Sequence, residues 1–236
     1  MSCSCGEFSG AADRQFTAAK AAKELTAYRR GRIGPTTRRL RDGLAETGLT
    51  HGTLLDIGGG VGALTFELLD RGMKSATVLE ASSAYVAAAW DEAVRRARRT
   101  AVDVVHGDLL ELSDHLPTAD VVTLDRVVCC YPSYESLLDQ ALRHAKRGFA
   151  LSYPHDRWYV RAVMWFDNAK RARKSGFRTF VHPPRDMQRI IERAGFSLAR
   201  RRQTPVWAVD VFIKRRRSLS PARRARAGTQ SSAACR

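Results

Sequence analysis

The sequence lacks the long apolar runs of a membrane protein and the cysteine pattern of a disulfide-stabilised secreted protein. No uninterrupted apolar run approaches the ~18 residues that a membrane-spanning helix needs. The first residues show neither a basic start nor the apolar core of a signal peptide. The five cysteines form an odd set, and two pairs lie too close in sequence to suggest a disulfide framework. We therefore expect a cytoplasmic protein with reduced thiols and no transmembrane segment.

Residues that bind metal ions are also scarce. Cys3 and Cys5 have no nearby histidine, whereas a closed zinc site needs four ligands. We therefore expect no metal ion. Residues 1–12 are predicted to form a disordered N-terminus.

Acidic residues are missing from the C-terminal segment, where cations are concentrated. The 236 residues carry a formal net charge of +16, and 44% hydrophobic with 27% charged residues is typical of a soluble globular protein. Residues 214–236 contain eight cations, no acid and few apolar residues, so they are predicted to form a disordered basic tail. Such a tail can contact nucleic acid or an anionic membrane weakly and without specificity.

A glycine-rich segment, residues 53–62, is the most informative part of the chain. A short apolar run containing Asp56 is followed by glycines at Gly58, Gly60 and Gly62, and then by an amphipathic helical pattern. Glycines at a strand-to-helix turn let a ligand lie against backbone N–H groups at a helix N-terminus. The segment therefore predicts a site for a nucleoside-containing cofactor. Its spacing fits both D-x-G-x-G-x-G and, with Ala63, the dinucleotide pattern G-x-G-x-x-A.

Strand and helix patterns alternate after the glycines. Short apolar runs near residues 75–80, 102–105, 120–124 and 148–153 alternate with helical patterns, which is typical of a parallel sheet. Two further runs, 196–203 and 206–213, flank Thr204-Pro205 and predict an antiparallel hairpin. The predicted fold class is α/β, with a Rossmann-like, mostly parallel seven-stranded sheet, a C-terminal antiparallel hairpin and helices on both faces.

The residues before the sheet are predicted to form a helical arm. Residues 13–47 contain two amphipathic patterns, with Asp13 as an N-cap of the first helix and Pro35 at the start of the second. The predicted organisation is therefore a disordered N-terminus (1–12), a helical arm or lid (13–47), a catalytic domain (48–213) and a basic tail (214–236).

Two acidic residues lie where a nucleoside would need them. Glu80 ends the second predicted strand, twenty residues after Gly60, and a carboxylate there can accept hydrogen bonds from both ribose hydroxyls. Asp108 follows the third predicted strand. These positions support a nucleoside ligand without choosing between the two templates.

Taken together, the motifs resemble those of the class I S-adenosylmethionine (SAM)-dependent methyltransferases. Residues 56–62 resemble motif I, Glu80 resembles the ribose-binding acid, and residues 107–109 resemble the adenine loop. The region 121–213 also resembles, more loosely, the magnesium-protoporphyrin IX methyltransferases. The resemblance implies SAM as cofactor, bound by a set of residues from the arm and the strand ends: Tyr28, Asp56, Gly58, Gly59, Gly60, Glu80, Ala81, Asp108, Leu109, Asp125 and Arg126.

Two features disfavour a nicotinamide-dependent oxidoreductase. The closing hairpin is typical of the methyltransferase sheet and unusual in nicotinamide-binding folds. A short-chain dehydrogenase also needs Tyr-x-x-x-Lys, and no tyrosine in this sequence is followed by lysine at that spacing.

The predicted reaction is methyl transfer to an oxygen or nitrogen (carboxylate, hydroxyl or amine) of a small-molecule acceptor. Candidate catalytic residues follow the fourth and fifth strands, at Tyr131 and His155. The alternative is an RNA methyltransferase that uses the basic arm and tail, and a nicotinamide oxidoreductase or a non-catalytic SAM-binding protein is less favoured. Four aromatic residues on one helix, Trp158, Tyr159, Trp165 and Phe166, are interpreted as core rather than as the lining of an acceptor pocket.

Overall fold

The computed structural model of this protein describes the backbone of residues 5–215 and the side chains of residues 10–215. Nine helices are described: α1 Cys5–Gln15, α2 Ala18–Arg29, α3 Pro35–Glu46, α4 Ala63–Leu69, α5 Ser83–Arg95, α6 Leu109–Leu112, α7 Tyr134–His144, α8 Trp158–Ala172 and α9 Pro184–Arg193. Seven strands are described within the same range: β1 Gly52–Ile57, β2 Met73–Glu80, β3 Val102–His106, β4 Ala119–Asp125, β5 Ala145–Pro154, β6 Phe196–Gln203 and β7 Trp207–Lys214.

The strands form one sheet in the order β3-β2-β1-β4-β5-β7-β6. Strands β1 to β5 pair in parallel, and β7 pairs antiparallel with both β5 and β6. This arrangement confirms the predicted fold class. Because strand order reverses between β1 and β4, the carboxyl ends of these strands border a crevice in which open α/β sheets bind ligands.

Each face of the sheet is covered by its own hydrophobic core. Helices α2 to α5 cover one face, where Leu40, Leu44, Phe66 and Val211 are buried together. Helices α7 and α9 cover the other face, where Phe149, Leu137 and Ile191 belong to a second cluster. The central strands read as nearly continuous apolar runs because both of their faces are buried.

The N-terminal arm differs from the prediction at its beginning. Helix α1 starts at Cys5, inside the segment 1–12 that was predicted to be disordered, and Asp13 lies within it rather than capping a helix that follows. The carboxylate of Asp13 accepts a hydrogen bond from the backbone N–H of Ser83 (2.9 Å). Ser82 in turn donates to the carbonyl oxygen of Phe16 (2.7 Å). Contacts with distant residues therefore anchor α1, and no local sequence pattern reveals them.

The other arm helices match the prediction, since α2 and α3 form and Pro35 begins α3. Strand β7 continues to Lys214, one residue into the predicted tail. The remaining tail residues from 216 onward, together with Cys3, lie outside the described residues, as does the side chain of Cys5.

Helix α8 departs from the expectation of a buried aromatic helix. Only Val160 and Met164 are buried, whereas Trp158, Trp165 and Phe166 are exposed to solvent. The prediction that these aromatics belong to the core was wrong. No described helix is both long and apolar enough to traverse a lipid bilayer.

Candidate active site

The glycine loop between β1 and α4 turns sharply because its alternate residues adopt left-handed backbone angles. Gly58, Gly60 and Gly62 have φ values of +62°, +60° and +79°, a region that side chains with a Cβ rarely adopt. The N–H of Gly58 donates to the carbonyl oxygen of Leu79 (2.7 Å), which fixes the loop against β2. A Cβ at Gly58 would overlap the side chain of Val127. The sequence reasoning placed this turn correctly.

A cavity opens where the loop meets the carboxyl ends of β1, β2 and β4. Eight of the predicted site residues line it: Gly58, Gly60, Glu80, Ala81, Leu109, Asp125, Arg126 and Tyr131. We call this space the glycine-loop cavity. Residues from four separate segments thus meet at the edge of the sheet where ligands bind in open α/β folds.

Glu80 connects the glycine loop to the start of α5. Its Oε2 accepts from the N–H of Gly60 and its Oε1 accepts from the N–H of Ser82, both at 2.9 Å. Burial raises the pKa of this carboxyl, and the backbone donors oppose that shift. The carboxylate is therefore held in the cavity wall, where further hydrogen-bond donors of a ligand can reach it.

Asp56 lies beneath the loop rather than in the cavity wall, which corrects the prediction of direct contact. Thr65 and Thr123 donate their hydroxyl groups to its two oxygens, at 2.8 and 2.6 Å. Burial raises its pKa to about 6. Gly59 also faces inward, because a Cβ there would lie 2.8 Å from Val78 Cγ1. Both residues support the loop from below.

Asp108 and Tyr131 form a buried pair at the adenine-loop position. The hydroxyl of Tyr131 and the N–H of Leu110 both donate to Oδ1 of Asp108, each at 2.9 Å. Burial and then the neighbouring Asp108 raise the pKa of Tyr131 well above its usual value, and burial also raises that of Asp108. Tyr131 therefore stays protonated at neutral pH and positions Asp108, which is different from the catalytic role predicted for it.

Asp125 and Arg126 form the wall at the end of β4. Thr37 of α3 donates to Oδ2 of Asp125, and Ser152 of β5 donates to Oδ1, both at 2.6 Å. Arg126 has a φ of +63°, and its N–H donates to Ser152 Oγ (2.8 Å). A positive φ is uncommon outside glycine and recurs at functional sites. The chain therefore bends sharply at the wall of the cavity.

His155 does not reach the glycine-loop cavity, which corrects its assignment as a catalytic candidate. Its Nε2 bonds the carbonyl oxygen of Thr204 (3.0 Å), and its backbone N–H donates to Val206 (2.8 Å). It lines a separate cavity beside Arg157 and Arg201. Its ring instead links the end of β5 to the turn between β6 and β7.

Tyr28 is also absent from the cavity. Its ring is 4% exposed, lies under the guanidinium of Arg96 (5.0 Å to the centroid) and accepts a hydrogen bond from it at 3.0 Å. It packs the arm helix α2 against α5, so the prediction that Tyr28 binds the cofactor is wrong. The neighbouring Glu24 of the same helix lines the cavity instead.

Sequence reasoning missed an aromatic cluster in the cavity wall. Phe16 stands edge-on to Tyr85 and to Phe177, with ring centroids 5.7 and 5.2 Å away. These residues come from the arm, from α5 and from the loop after α8. Tyr85 lies in the first turn of α5, five residues after Glu80, so its place in the sequence could have indicated a position near the cavity. Phe16 and Phe177 reach the cavity only through tertiary packing.

A family model for the methyltransferase domain matches residues 26–201, which is well over half of the chain. The chain belongs to the methyltransferase-domain family. This confirms the prediction of a SAM-dependent methyltransferase. Curated proteins show no significant sequence match to it.

Solved methyltransferase structures share the fold at low sequence identity. Magnesium protoporphyrin IX methyltransferase from Synechocystis PCC 6803, solved with SAH bound, is 21% identical with a TM-score of 0.64, over 76% of this chain and 82% of that one. An O-methyltransferase family protein from Burkholderia thailandensis is 13% identical with a TM-score of 0.65, over 85% and 61%. A Pyrococcus horikoshii protein assigned as an RNA methyltransferase is 15% identical with a TM-score of 0.56, over 75% and 81%.

Proposed function

We propose that this enzyme transfers a methyl group from SAM, bound in the glycine-loop cavity, to an oxygen or nitrogen of a small apolar acceptor. The observation that carries the proposal is the charge of the cavity wall. Three carboxylates, Glu24, Glu80 and Asp125, line it with one cation, Arg126. SAM carries a net positive charge, whereas the pyrophosphate of NAD is anionic. Carboxylates close to a ligand favour the cation and disfavour the anion.

The cavity residues fit the parts of SAM. Glu80 is placed to accept hydrogen bonds from the ribose hydroxyls, and Leu79 and Leu109 offer apolar surface to the adenine. Asp108 itself is buried and does not line the cavity, but its neighbours Gly107 and Leu109 do, so the predicted adenine loop borders the cavity. Bound SAM supplies an electrophilic methyl sulfonium. The residues of this chain orient it and exclude water, and positioning of this kind lowers the barrier by ~7–11 kcal/mol.

The apolar part of the cavity wall indicates which acceptors fit. Phe16, Val127, Cys130 and Phe177 are apolar or weakly polar, and no histidine is among the described residues that line the cavity. The described wall therefore offers no imidazole to take a proton from the acceptor, and both oxygens of its carboxylates Glu80 and Asp125 already accept hydrogen bonds from the protein. An acceptor that is nucleophilic without losing a proton in the transition state, such as an ionised carboxylate on an apolar body, suits this wall.

An RNA acceptor is the second candidate, favoured by the net charge of +16 and by the exposed arginines of the arm. The two candidates are separated by incubating the purified protein with methyl-labelled SAM and a fractionated host extract. We expect label in a small-molecule fraction. Label confined to RNA would refute the small-molecule acceptor, and no transfer to any fraction would favour a SAM-binding protein without catalysis.

A further inference from the structure

Helix α8 presents an aromatic face to solvent. Trp158, Trp165 and Phe166 are 81%, 66% and 59% exposed. At 3.6 residues per turn, they lie on one side of the helix with Ala162 and Ala169 between them, opposite the buried Val160 and Met164. We call Trp158, Trp165 and Phe166 the α8 aromatic face. Large aromatic side chains exposed together on one face of a helix mark an interaction site.

The α8 aromatic face does not belong to the site already described. None of its three side chains lines the glycine-loop cavity. Among the described residues, their ring contacts are with immediate neighbours, since Trp158 packs edge-on to Tyr159 and Trp165 packs edge-on to Phe166. Side chains so far exposed protrude from the surface and do not line a groove. The α8 aromatic face can therefore insert into a deformable surface, and it does not form a pocket for a ligand.

Cations are concentrated in the segment that carries this face, mostly at its C-terminal end. Residues 156–178 contain seven lysines and arginines and only two acids, Asp156 and Asp167. Both acids are paired, Asp156 with Arg161 at 2.6 Å and Asp167 with Arg171 at 3.8 Å. Four exposed cations in the last turn of α8 and just beyond it have no carboxylate partner within the described part of the chain: Lys170, Arg173, Lys174 and Arg178.

We propose that α8 docks this protein onto an anionic lipid surface. Helices that lie in a membrane interface combine Trp and Phe on one face with Lys and Arg beside it, as α8 does. The aromatic rings would enter the boundary between headgroups and acyl chains, and the four unpaired cations would lie against lipid phosphates. The excess of positive charge over the segment selects an anionic surface over a zwitterionic one.

The position of α8 links this surface to the cavity. Asn168 of α8 holds the following loop through hydrogen bonds to the backbone N–H and carbonyl of Thr179, at 2.8 and 2.7 Å. The same loop contributes Phe177 to the cavity wall. Docking through α8 would therefore bring one wall of the cavity close to the lipid. Delivery of an apolar acceptor by this route rests on the proposed function, whereas docking itself does not.

The test is co-sedimentation of the full chain with vesicles of phosphatidylcholine, with and without phosphatidylglycerol. We expect binding only to the phosphatidylglycerol vesicles. Replacing the α8 aromatic face with serines (Trp158→Ser, Trp165→Ser and Phe166→Ser together) should weaken it by about tenfold or more. Trp90→Ser is the matched control, because Trp90 is also exposed but lies on α5, and it should leave binding unchanged.

Three results would overturn the proposal. Undiminished binding of the triple variant would show that other cations, such as those of the tail, carry the attachment. Absence of binding by the unaltered protein would remove the surface altogether. A dimer of the unaltered protein that the triple variant loses in sedimentation velocity would show that the face joins two copies. Calorimetric SAM affinity separates this question from the proposed function, because the triple variant should keep it.

Discussion

The alternate glycines of the loop differ in what a methyl group would meet. Both Gly58 and Gly60 have positive φ, but a Cβ at Gly60 would lie 3.7 Å from Tyr85 Cδ1, an ordinary contact, whereas a Cβ at Gly58 would overlap Val127. Gly60→Ala should therefore cost about 1–2 kcal/mol of unfolding free energy from backbone strain. Gly58→Ala should cost about 1–3 kcal/mol more because of the overlap. Urea unfolding measures both, and equal losses would contradict the described packing.

Glu80 makes a second residue-level prediction. Glu80→Ala should weaken SAM binding by ~1–3 kcal/mol, because the ribose hydroxyls and the N–H groups of Gly60 and Ser82 lose their acceptor. Glu80→Gln keeps one carbonyl oxygen and should lose less. Asp103→Asn, on the exposed side of the adjacent β3, is the control. Unchanged affinity of Glu80→Ala in calorimetry would remove the ribose assignment.

Asp56 predicts a pH dependence of stability. Because burial raises its pKa in the folded protein from 3.8 to about 6, folding favours the protonated form. The stabilisation of the folded protein by protonated Asp56 is fully present below about pH 4 and is lost as the pH rises through about 6. The unfolding free energy relative to Asp56→Asn should fall on the order of 3 kcal/mol across this range. Denaturant titrations at several pH values check this, and parallel profiles for the two proteins would contradict it.

For single residues, the sequence predicted correctly those site residues whose position along the chain is enough to place them in the cavity wall. It failed for residues whose side-chain direction determines whether they reach the cavity. Glu80, Ala81 and Leu109 are fixed in the cavity wall by their place at strand ends. Asp56 belongs to the glycine motif, but its carboxylate accepts hydrogen bonds from Thr65 and Thr123 beneath the loop and does not line the cavity. Tyr28 was assigned from its residue type on a helix whose rotation depends on contacts with α5, which no local pattern contains.

Between elements, a buried carboxylate joins the arm to the core. Glu92 of α5 has no exposed surface and forms ion pairs with Arg29 of α2 (2.8 Å), Arg96 (2.7 Å) and Arg95. Burial alone would raise its pKa, but hydrogen bonds from the three guanidinium groups outweigh this and lower it to about 2. The ion pair with Arg29 thus attaches the arm helix α2 to α5. The buried carboxylate of Glu92 depends on its arginine partners, because water cannot reach it.

Glu92→Gln should therefore lower the unfolding free energy by about 1.5–3 kcal/mol, because the buried side chain loses charge-assisted hydrogen bonds while the partly exposed guanidinium groups can be solvated. Asp91→Asn is the control, since Asp91 is adjacent and exposed, and it should change stability by less than about 0.5 kcal/mol. Equal effects of the two substitutions in urea unfolding would show that the cluster does not stabilise the protein.

The elements themselves were largely predictable because their patterns are local. Buried parallel strands appear as apolar runs, and α9 shows its apolar positions at helical spacing. Helix α1 was missed because its anchors, Ser82 and Ser83, are about seventy residues away in the sequence. The exposure of α8 was misjudged because aromatic content suggests burial unless a surface role keeps it exposed.

For the whole molecule, the fold class followed from a glycine turn, a run of alternating strand and helix patterns and a closing hairpin. The identity of the acceptor does not follow from them, because a fold supports many reactions and the acceptor contacts come from segments such as Phe16 and Phe177 that no motif marks. The three carboxylates of the cavity wall give a physical reason for the cavity to prefer a cationic ligand, and the sequence alone did not provide this reason.

The most direct measurement of this account is calorimetric titration of the purified full chain with SAM and, separately, with NAD. The charge of the glycine-loop cavity predicts binding of SAM with one site per chain, strongly reduced in Glu80→Ala, and no measurable heat with NAD. Binding of NAD in preference to SAM, or SAM binding that is indifferent to Glu80, would contradict the central claim that this cavity holds the methyl donor.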